Sequence, residues 1–435
     1  MTNRRVLTLT VATVTVVANM VGTGVFTTTG LMAQNGAGGG DILMAWILGG
    51  LIALCGALCY GEVGANLPHS GGEYYYLSRL IHPSLGFVSG TVSVVVGFAA
   101  PIAASAIAMN IYLSTVVLGW PIRSMSVVVV IALAMLHARD VHIGSRFQTL
   151  ITVTKVLLIV SFIGAVLFAF PKGDHGDLFQ LHTSFLTSSS FAIVLVFVAF
   201  AYTGWNAATY IATELKDPKR TLPRSLLLGT LIVILLYVLL NLAYLLVVPA
   251  KNLSGVDQVG YVVASALWGS KMGGIVSMLI ALTLLCPISS MLMVGPRIAE
   301  AMARDGFLPM WLSKLNHRHV PARAIALQAG IAALIAITFT FEHLLLYIGF
   351  TLNIFAALTV LSLFKLRREG RSKVKICIGY PITPLIFLGF TIWMTVWSIN
   401  EVPEAALAGL LTLASGFVLY LFRAKQARLA VDVVD

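Results

Sequence analysis

Long apolar runs alternate with short polar breaks along the whole chain. A helix that crosses a bilayer needs about 20 largely apolar residues. Runs that reach or approach this length lie at 6–34, 41–66, 85–117, 124–137, 144–170, 187–214, 222–248, 272–303, 322–340, 343–364, 381–399 and 403–422. The pattern predicts an all-α integral membrane protein with 12 transmembrane helices, residues 1–435 forming one membrane domain with no separate soluble unit. Span 4, at 124–137, is the shortest.

Composition agrees with the pattern. The 435 residues are 58% hydrophobic and 10% charged, with a mean hydropathy of +0.93. A soluble domain carries roughly 25% charged residues, so a water-soluble fold is excluded, and the apolar content excludes disorder. The net charge of +11 is explained by where the cations fall. With the N-terminus placed in the cytoplasm, Arg123, Lys172, Lys251 and Lys271 lie in outer connections and Lys155 lies inside span 5. The other Lys and Arg residues occupy inner segments, from Arg4 and Arg5 to Arg428. This asymmetry predicts cytoplasmic N- and C-termini in a multi-pass protein, expected in the plasma membrane. It accounts for the basic surplus without a nucleic-acid partner. The first run resembles a signal peptide only until the apolar pattern resumes after Gly24. Cys55, Cys59, Cys286 and Cys377 have neither metal-ligand spacing nor the look of a disulfide framework, so no metal or cofactor is expected.

Two spans are interrupted. Span 1 is broken at Val21-Gly22-Thr23-Gly24-Val25, where each glycine weakens the helix by about 1 kcal/mol. Span 6 has a comparable break at Ala201-Tyr202-Thr203-Gly204-Trp205-Asn206. Glycine in a membrane helix commonly serves close packing, as expected of Gly86 and Gly90 in span 3. Breaks at corresponding places in two halves, 6–170 and 187–364, point instead to a transport site between inverted five-span repeats, with 381–422 as two added spans. The half-helix after Gly24 would offer amides and a positive dipole end to a carboxylate. Half-helices ending near Val21 and Phe200 would offer carbonyls to an ammonium group. Together they suit a zwitterionic amino acid. Spans 1, 3, 6, 8 and 10 carry no acid near mid-depth, so a neutral side chain is expected. Replacing Gly24 with Val is expected to block the close approach of substrate.

The same residues resemble the amino acid–polyamine–organocation (APC) superfamily, whose members have the LeuT-like fold. The resemblance covers essentially the whole chain. It rests on Gly22-Thr23-Gly24, on Pro68-His69-Ser70-Gly71-Gly72-Glu73-Tyr74, and on Phe200-Ala201-Tyr202-Thr203-Gly204-Trp205-Asn206 continuing through Glu214 to Arg224. Ala303-Arg304-Asp305-Gly306-Phe307-Leu308-Pro309 completes it. The resemblance implies that amides around Thr23, Gly24 and Val25 hold the substrate carboxylate. It implies that carbonyls of Ala18, Val21, Phe200, Ala201 and Thr203 receive the amino group, with Phe200 as a gating aromatic. Gly204-Trp205-Asn206 is similar to the L-type exchangers of neutral amino acids.

Lys155 lies eleven residues into span 5, about 16 Å deep at 1.5 Å per residue. A cation at that depth is a functional candidate by default, although a snorkelling lysine is the bland alternative. The resemblance places it near the site where sodium-coupled relatives bind a cation. Its expected partners are the Gly22 carbonyl, the hydroxyls of Ser289 and Ser290, and Tyr237. A permanently charged Lys155 would replace sodium; a Lys155 that releases its proton would couple transport to protons. Among weaker signals, Cys55 and Cys59 could touch. Glu62, Glu73 and Glu214 are expected to pair with inner-face arginines such as Arg79 or Arg304. His69, His137, His142, His317 and His319 read as solvated. Asn353 is placed either to line the pocket or to bond between helices, and the run from Lys365 to Lys375 could touch anionic lipid.

The expected function is secondary transport of neutral L-amino acids by alternating access, as an exchanger. The competing readings are a proton-coupled symporter, an efflux permease for an amine or amino acid, and a sensor that binds without moving substrate. No catalytic constellation is visible, so an enzyme is not expected. An accessory subunit is left unassigned.

Overall fold

The computed structural model describes residues 7–139, 141–169, 178, 180–316, 318 and 320–431, without the side chains of 141–149 and 424–431. The expectations for Arg4, Arg5, Lys172, His317 and His319 lie outside the described residues, as do the side chains of His142 and Arg146.

Among the described residues, eleven helical stretches are long and apolar enough to cross a membrane, and a shorter apolar helix, Ala322–Thr338, coincides with the expected span 9. Counted with it, the helices follow the predicted order of twelve. Span 4 runs over Ile122–Arg139 and reaches 18 residues, longer than its apolar run because polar and basic residues at both ends join the helix. Among the described residues the strand-type pairing is limited to a bridge between Leu7 and Leu215. There the Leu7 amide donates to the Glu214 carbonyl at 3.0 Å and the Lys216 amide to the Leu7 carbonyl at 2.9 Å, tying the start of span 1 to the end of span 6.

Burial sorts the spans into a centre and a rim. Spans 1, 3, 6, 8 and 10 have 61–89% of their residues buried within the protein, against 22–33% for spans 4, 5, 11 and 12. The central set is apolar on all sides because it meets protein on all sides. Three of its members are irregular. Span 3 (Pro83–Ser114) carries a π-helical segment at Ser93–Ala99. Span 8 (Ser270–Arg304) is divided near Leu284 and Gly295, where Pro287 and Pro296 each remove a helical donor. Span 6 ends as an α-helix at Tyr202 and resumes as a 3₁₀ helix over Ala207–Glu214.

Buried charge also organises the inner face. Glu62, at the end of span 2, is fully buried and accepts both Arg367 nitrogens at 2.6 Å. It also accepts from the Ser372 hydroxyl at 2.7 Å and from the amides of Ile376 and Cys377 at 2.9 Å. Its partner is thus Arg367, at the end of span 10, rather than Arg79 or Arg304. Removing one partner of a buried ion pair costs about 3–5 kcal/mol. Glu62→Gln is therefore expected to lower the thermal unfolding midpoint of the purified protein clearly, without changing substrate preference; an unchanged midpoint would assign the cluster no stabilising role. The same segment brings Cys377 Sγ to 3.7 Å from Cys59 Sγ, so Cys59 contacts a residue beyond span 10.

Candidate functional site

Span 1 stops at Met20 and restarts at Gly24. The restart leaves the first amides of the second half-helix without an intrahelical acceptor. Of the three glycines in the two breaks, Gly24 and Gly204 are required by contact between the helices. A Cβ on Gly24 would lie 2.4 Å from the Ala201 Cβ and 2.5 Å from its Cα. Gly204 has φ +98°, and a Cβ there would fall 2.8 Å from the Asn19 carbonyl carbon. The two breaks therefore face each other backbone to backbone, and Gly24 admits span 6.

Two side chains hold this crossing. The Lys155 ammonium donates to the Ala18 carbonyl at 3.3 Å and, closer still, to the Val21 carbonyl. The Tyr237 hydroxyl, in span 7, lies 2.6 Å from the Met20 carbonyl and 3.1 Å from the Ala201 carbonyl. Lys155 and Tyr237 are both completely buried. Each occupies carbonyls at the end of a half-helix, where the peptide dipoles favour a positive charge or a donor. Lys155 therefore reaches span 1 as expected, but through Ala18 and Val21 instead of Gly22. Ser289 bonds to His137 at 2.8 Å. His137 is thereby buried, contrary to its expected solvation, because span 4 packs against the middle segment of span 8. Ser290 is buried in that segment, with no bond to Lys155 among those observed. Three residues before Lys155 on the same helix, Thr152 Oγ1 lies 3.2 Å from Cys286 Sγ in span 8.

Beside the crossing lies a cavity of about 80 Å³. Its wall includes Asn19, Glu73, Ser93, Phe98, Thr203, Gly204, Trp205, Asn206, Tyr210, Met291 and Asn353. Of the expected substrate residues, Thr203 lines this cavity. Ala18, Val21, Gly22, Thr23, Gly24, Val25, Phe200 and Ala201 lie outside its wall, in the packed crossing. The Phe200 carbonyl accepts from the Thr203 amide at 2.9 Å and from its hydroxyl at 2.7 Å. A carbonyl oxygen has two lone pairs, so these two bonds fill the Phe200 carbonyl, which must release the Thr203 hydroxyl to receive another donor, whereas the Val21 carbonyl, bonded to Lys155, keeps acceptor capacity. Asn353 takes the pocket-lining position foreseen as one of its two options.

The unexpected member is Glu73. It opens a short helix, Glu73–Leu80, between spans 2 and 3, and is 5% exposed. Its Oε1 accepts from the Tyr60 hydroxyl at 2.6 Å and from Asn206 Nδ2 at 3.1 Å. It has no arginine partner among the described residues, unlike the pairing expected for it. Burial pushes its carboxyl up to about 7, a rise that the bonds from Tyr60 and Asn206 partly offset. Acidity enters the cavity from a connection, outside spans 1, 3, 6, 8 and 10. Its sequence signal is its place in the Pro68–Tyr74 motif. The parts played by Ser93 and Phe98 depend on the π-helical segment, for which no sequence sign was available; such segments recur at functional sites.

On the far side of Tyr210, a larger cavity is bordered by Ser70, Thr213, Glu214, Arg297, Glu300 and Arg304. Glu214 bonds to Arg297 there, and Arg304 to Glu300 at 2.5 Å. Tyr74 bonds to Asp305. Glu214 was expected to meet Arg79 or Arg304; Arg297 reaches it first because the division of span 8 at Gly295 turns its last segment toward the end of span 6. With both side chains about one-third exposed, this pair contributes at most about 1 kcal/mol, which suits a contact that opens and closes.

A profile of the amino acid permease family matches residues 6–419. The chain is 28% identical over 411 residues to the large neutral amino acids transporter small subunit 2 of Homo sapiens, covering 91% of this chain and 77% of that protein. It is 28% identical over 382 residues to the serine/threonine exchanger SteT of Bacillus subtilis (strain 168), covering 85% and 86% respectively. The Asc-type amino acid transporter 1 of Homo sapiens is 25% identical over 419 residues, covering 93% and 79%.

Proposed function

The chain belongs to the amino acid permease family of the APC superfamily, as a multi-pass membrane transporter and not an enzyme, and from that premise we propose that it exchanges neutral L-amino acids across the plasma membrane. Residues 6–170 and 187–364 act as two inverted repeats that rock about the crossing of spans 1 and 6, with 381–422 outside them, and both termini lie in the cytoplasm. The substrate carboxylate binds the free amides at Thr23, Gly24 and Val25. Its ammonium shares the carbonyls of Phe200, Ala201 and Thr203, and the second lone pairs of Ala18 and Val21. The side chain enters the adjoining cavity, and Phe200 moves to admit it.

The observation that supports this most is the meeting of two broken helices whose loose carbonyls are gathered by a buried ammonium and a buried hydroxyl. Lys155 acts as a fixed cation that ties spans 1 and 5 where a coupling ion would otherwise be needed. Ser289 and Ser290 lie on span 8, which moves against spans 1 and 5. The relatives, a large neutral amino acids transporter and a serine/threonine exchanger among them, favour exchange over proton symport or efflux. Anionic lipid meets the basic run from Lys365 to Lys375.

Purified protein in liposomes, given labelled alanine, serine, leucine or methionine, is expected to take up substrate only when unlabelled amino acid is inside. Uptake into empty liposomes driven by an inward proton gradient would replace exchange with symport. Binding of an amino acid without uptake under either condition would favour a sensor.

A further inference from the structure

We propose that Glu73 is a proton-binding site in the wall of the substrate cavity, and that a neutral amino acid binds together with one proton held there. The inference rests on the assignment of this cavity to the substrate side chain. It adds a titrating group distinct from Lys155, which stays charged.

The geometry is that of a carboxyl group without a counter-cation. Both hydrogen bonds reach the same oxygen, Oε1, from Tyr60 on span 2 and Asn206 beyond the break in span 6. The titratable groups that face it are Tyr60 and, in the 3₁₀ segment of span 6, Tyr210; Tyr76, on its own helix, packs edge-on against Tyr60. Spans 3 and 10 present the neutral Ser93 and Asn353 to the same cavity. Arg79, on the same short helix, lies over the Tyr75 ring at 5.7 Å, and Arg297, in the cavity beyond Tyr210, bonds to Glu214.

An apolar side chain entering the cavity displaces water from this wall. Loss of water disfavours the ionised carboxylate far more than the neutral acid. Substrate and proton therefore bind with positive linkage, and each raises the affinity for the other by the same factor. The elevated proton affinity of Glu73 in the unliganded protein has the same physical origin, and places its titration near neutral pH. Nothing is transferred covalently; the proton comes from solvent on binding and leaves when the cavity empties.

The test is the affinity of the full-length purified protein for L-leucine between pH 5.5 and 9 (an experimental choice, on the order of two units either side of neutral), read by equilibrium binding, with alanine, serine and methionine in parallel. Wild-type affinity is expected to be level below about pH 7, then to fall, approaching tenfold per pH unit. Glu73→Gln, which keeps the shape of the neutral acid, is expected to bind at every pH about as the wild type does at low pH. Tyr60→Phe removes a donor that favours the ionised form, so it is expected to move the fall to higher pH. Leucine binding that keeps its wild-type pH slope in Glu73→Gln overturns the proposal while leaving the substrate assignment intact. Failure of all four amino acids to bind wild type at any pH overturns that assignment and the proposal with it.

Discussion

Lys155→Ala is expected to lower exchange ten- to hundredfold while leaving the shape of its pH profile unchanged. The ammonium is buried and bonded to the carbonyls of Ala18 and Val21. A hydrogen bond to a charged group contributes about 1.5–3 kcal/mol, and 1.4 kcal/mol is a factor of ten. Without the ammonium, the end of the first half-helix loses its anchor to span 5, and the crossing must hold its geometry through Tyr237 alone. Alanine also leaves a cavity where the four-carbon stem packed, which costs stability of its own. Lys155→Met separates the two effects, since it keeps an apolar stem and removes the charge. If Met behaves as Ala does, the charge is what matters; if Met restores exchange, the stem is. The measurement is leucine exchange in liposomes from pH 5.5 to 9, a range of about two units around neutral. A profile flattened by either substitution would make Lys155 a proton carrier in place of a fixed cation.

The sequence was legible where a single residue type had a consequence that did not depend on its neighbours. Apolar length alone placed the spans, because lipid rewards it irrespective of which helix lies alongside. Gly22 and Gly24 in span 1 and Gly204 in span 6 disclosed the breaks for a similar reason: an interruption in an apolar run is visible without knowing what fills it. Lys155 stood out as one cation inside such a run.

Partners were harder, since they depend on how helices far apart in the chain are rotated against one another. Glu62 meets Arg367, 305 residues away, and nothing in either neighbourhood distinguishes Arg367 from the other basic residues of the inner face. His137 looked like a solvated end of span 4 until span 8 covered it. Glu73 lies outside every span, so a search of mid-depth positions could not find it. Yet the short helix it opens turns it inward against Tyr60 and Asn206. The expected substrate residues show the same division. The break of span 1 is where the sequence placed it, but the open volume lies beside the break, lined from span 3 by residues that a π-helical turn presents.

That displacement changes what a substitution at Gly24 should do. A valine there was expected to obstruct substrate, but even the first added carbon meets span 6, at 2.4 Å from the Ala201 Cβ and 2.5 Å from its Cα. Such distances cannot be tolerated, so the half-helices must separate. Overpacking of this kind costs about 1–3 kcal/mol, and contact with backbone places Gly24→Ala toward the upper end. The variant is accordingly expected to show a lowered thermal midpoint even without any amino acid present, together with at least a tenfold loss of leucine exchange. Adding Ala201→Gly removes the Cβ conflict but leaves the Cα, so it should recover only part of both losses. The two substitutions should be strongly non-additive, as residues in contact are. A Gly24→Ala protein with the wild-type midpoint but no leucine binding would return this glycine to the role of admitting substrate. Equal losses of midpoint and exchange, partly repaired together by the second substitution, would make it the point where the two broken helices are fitted to each other.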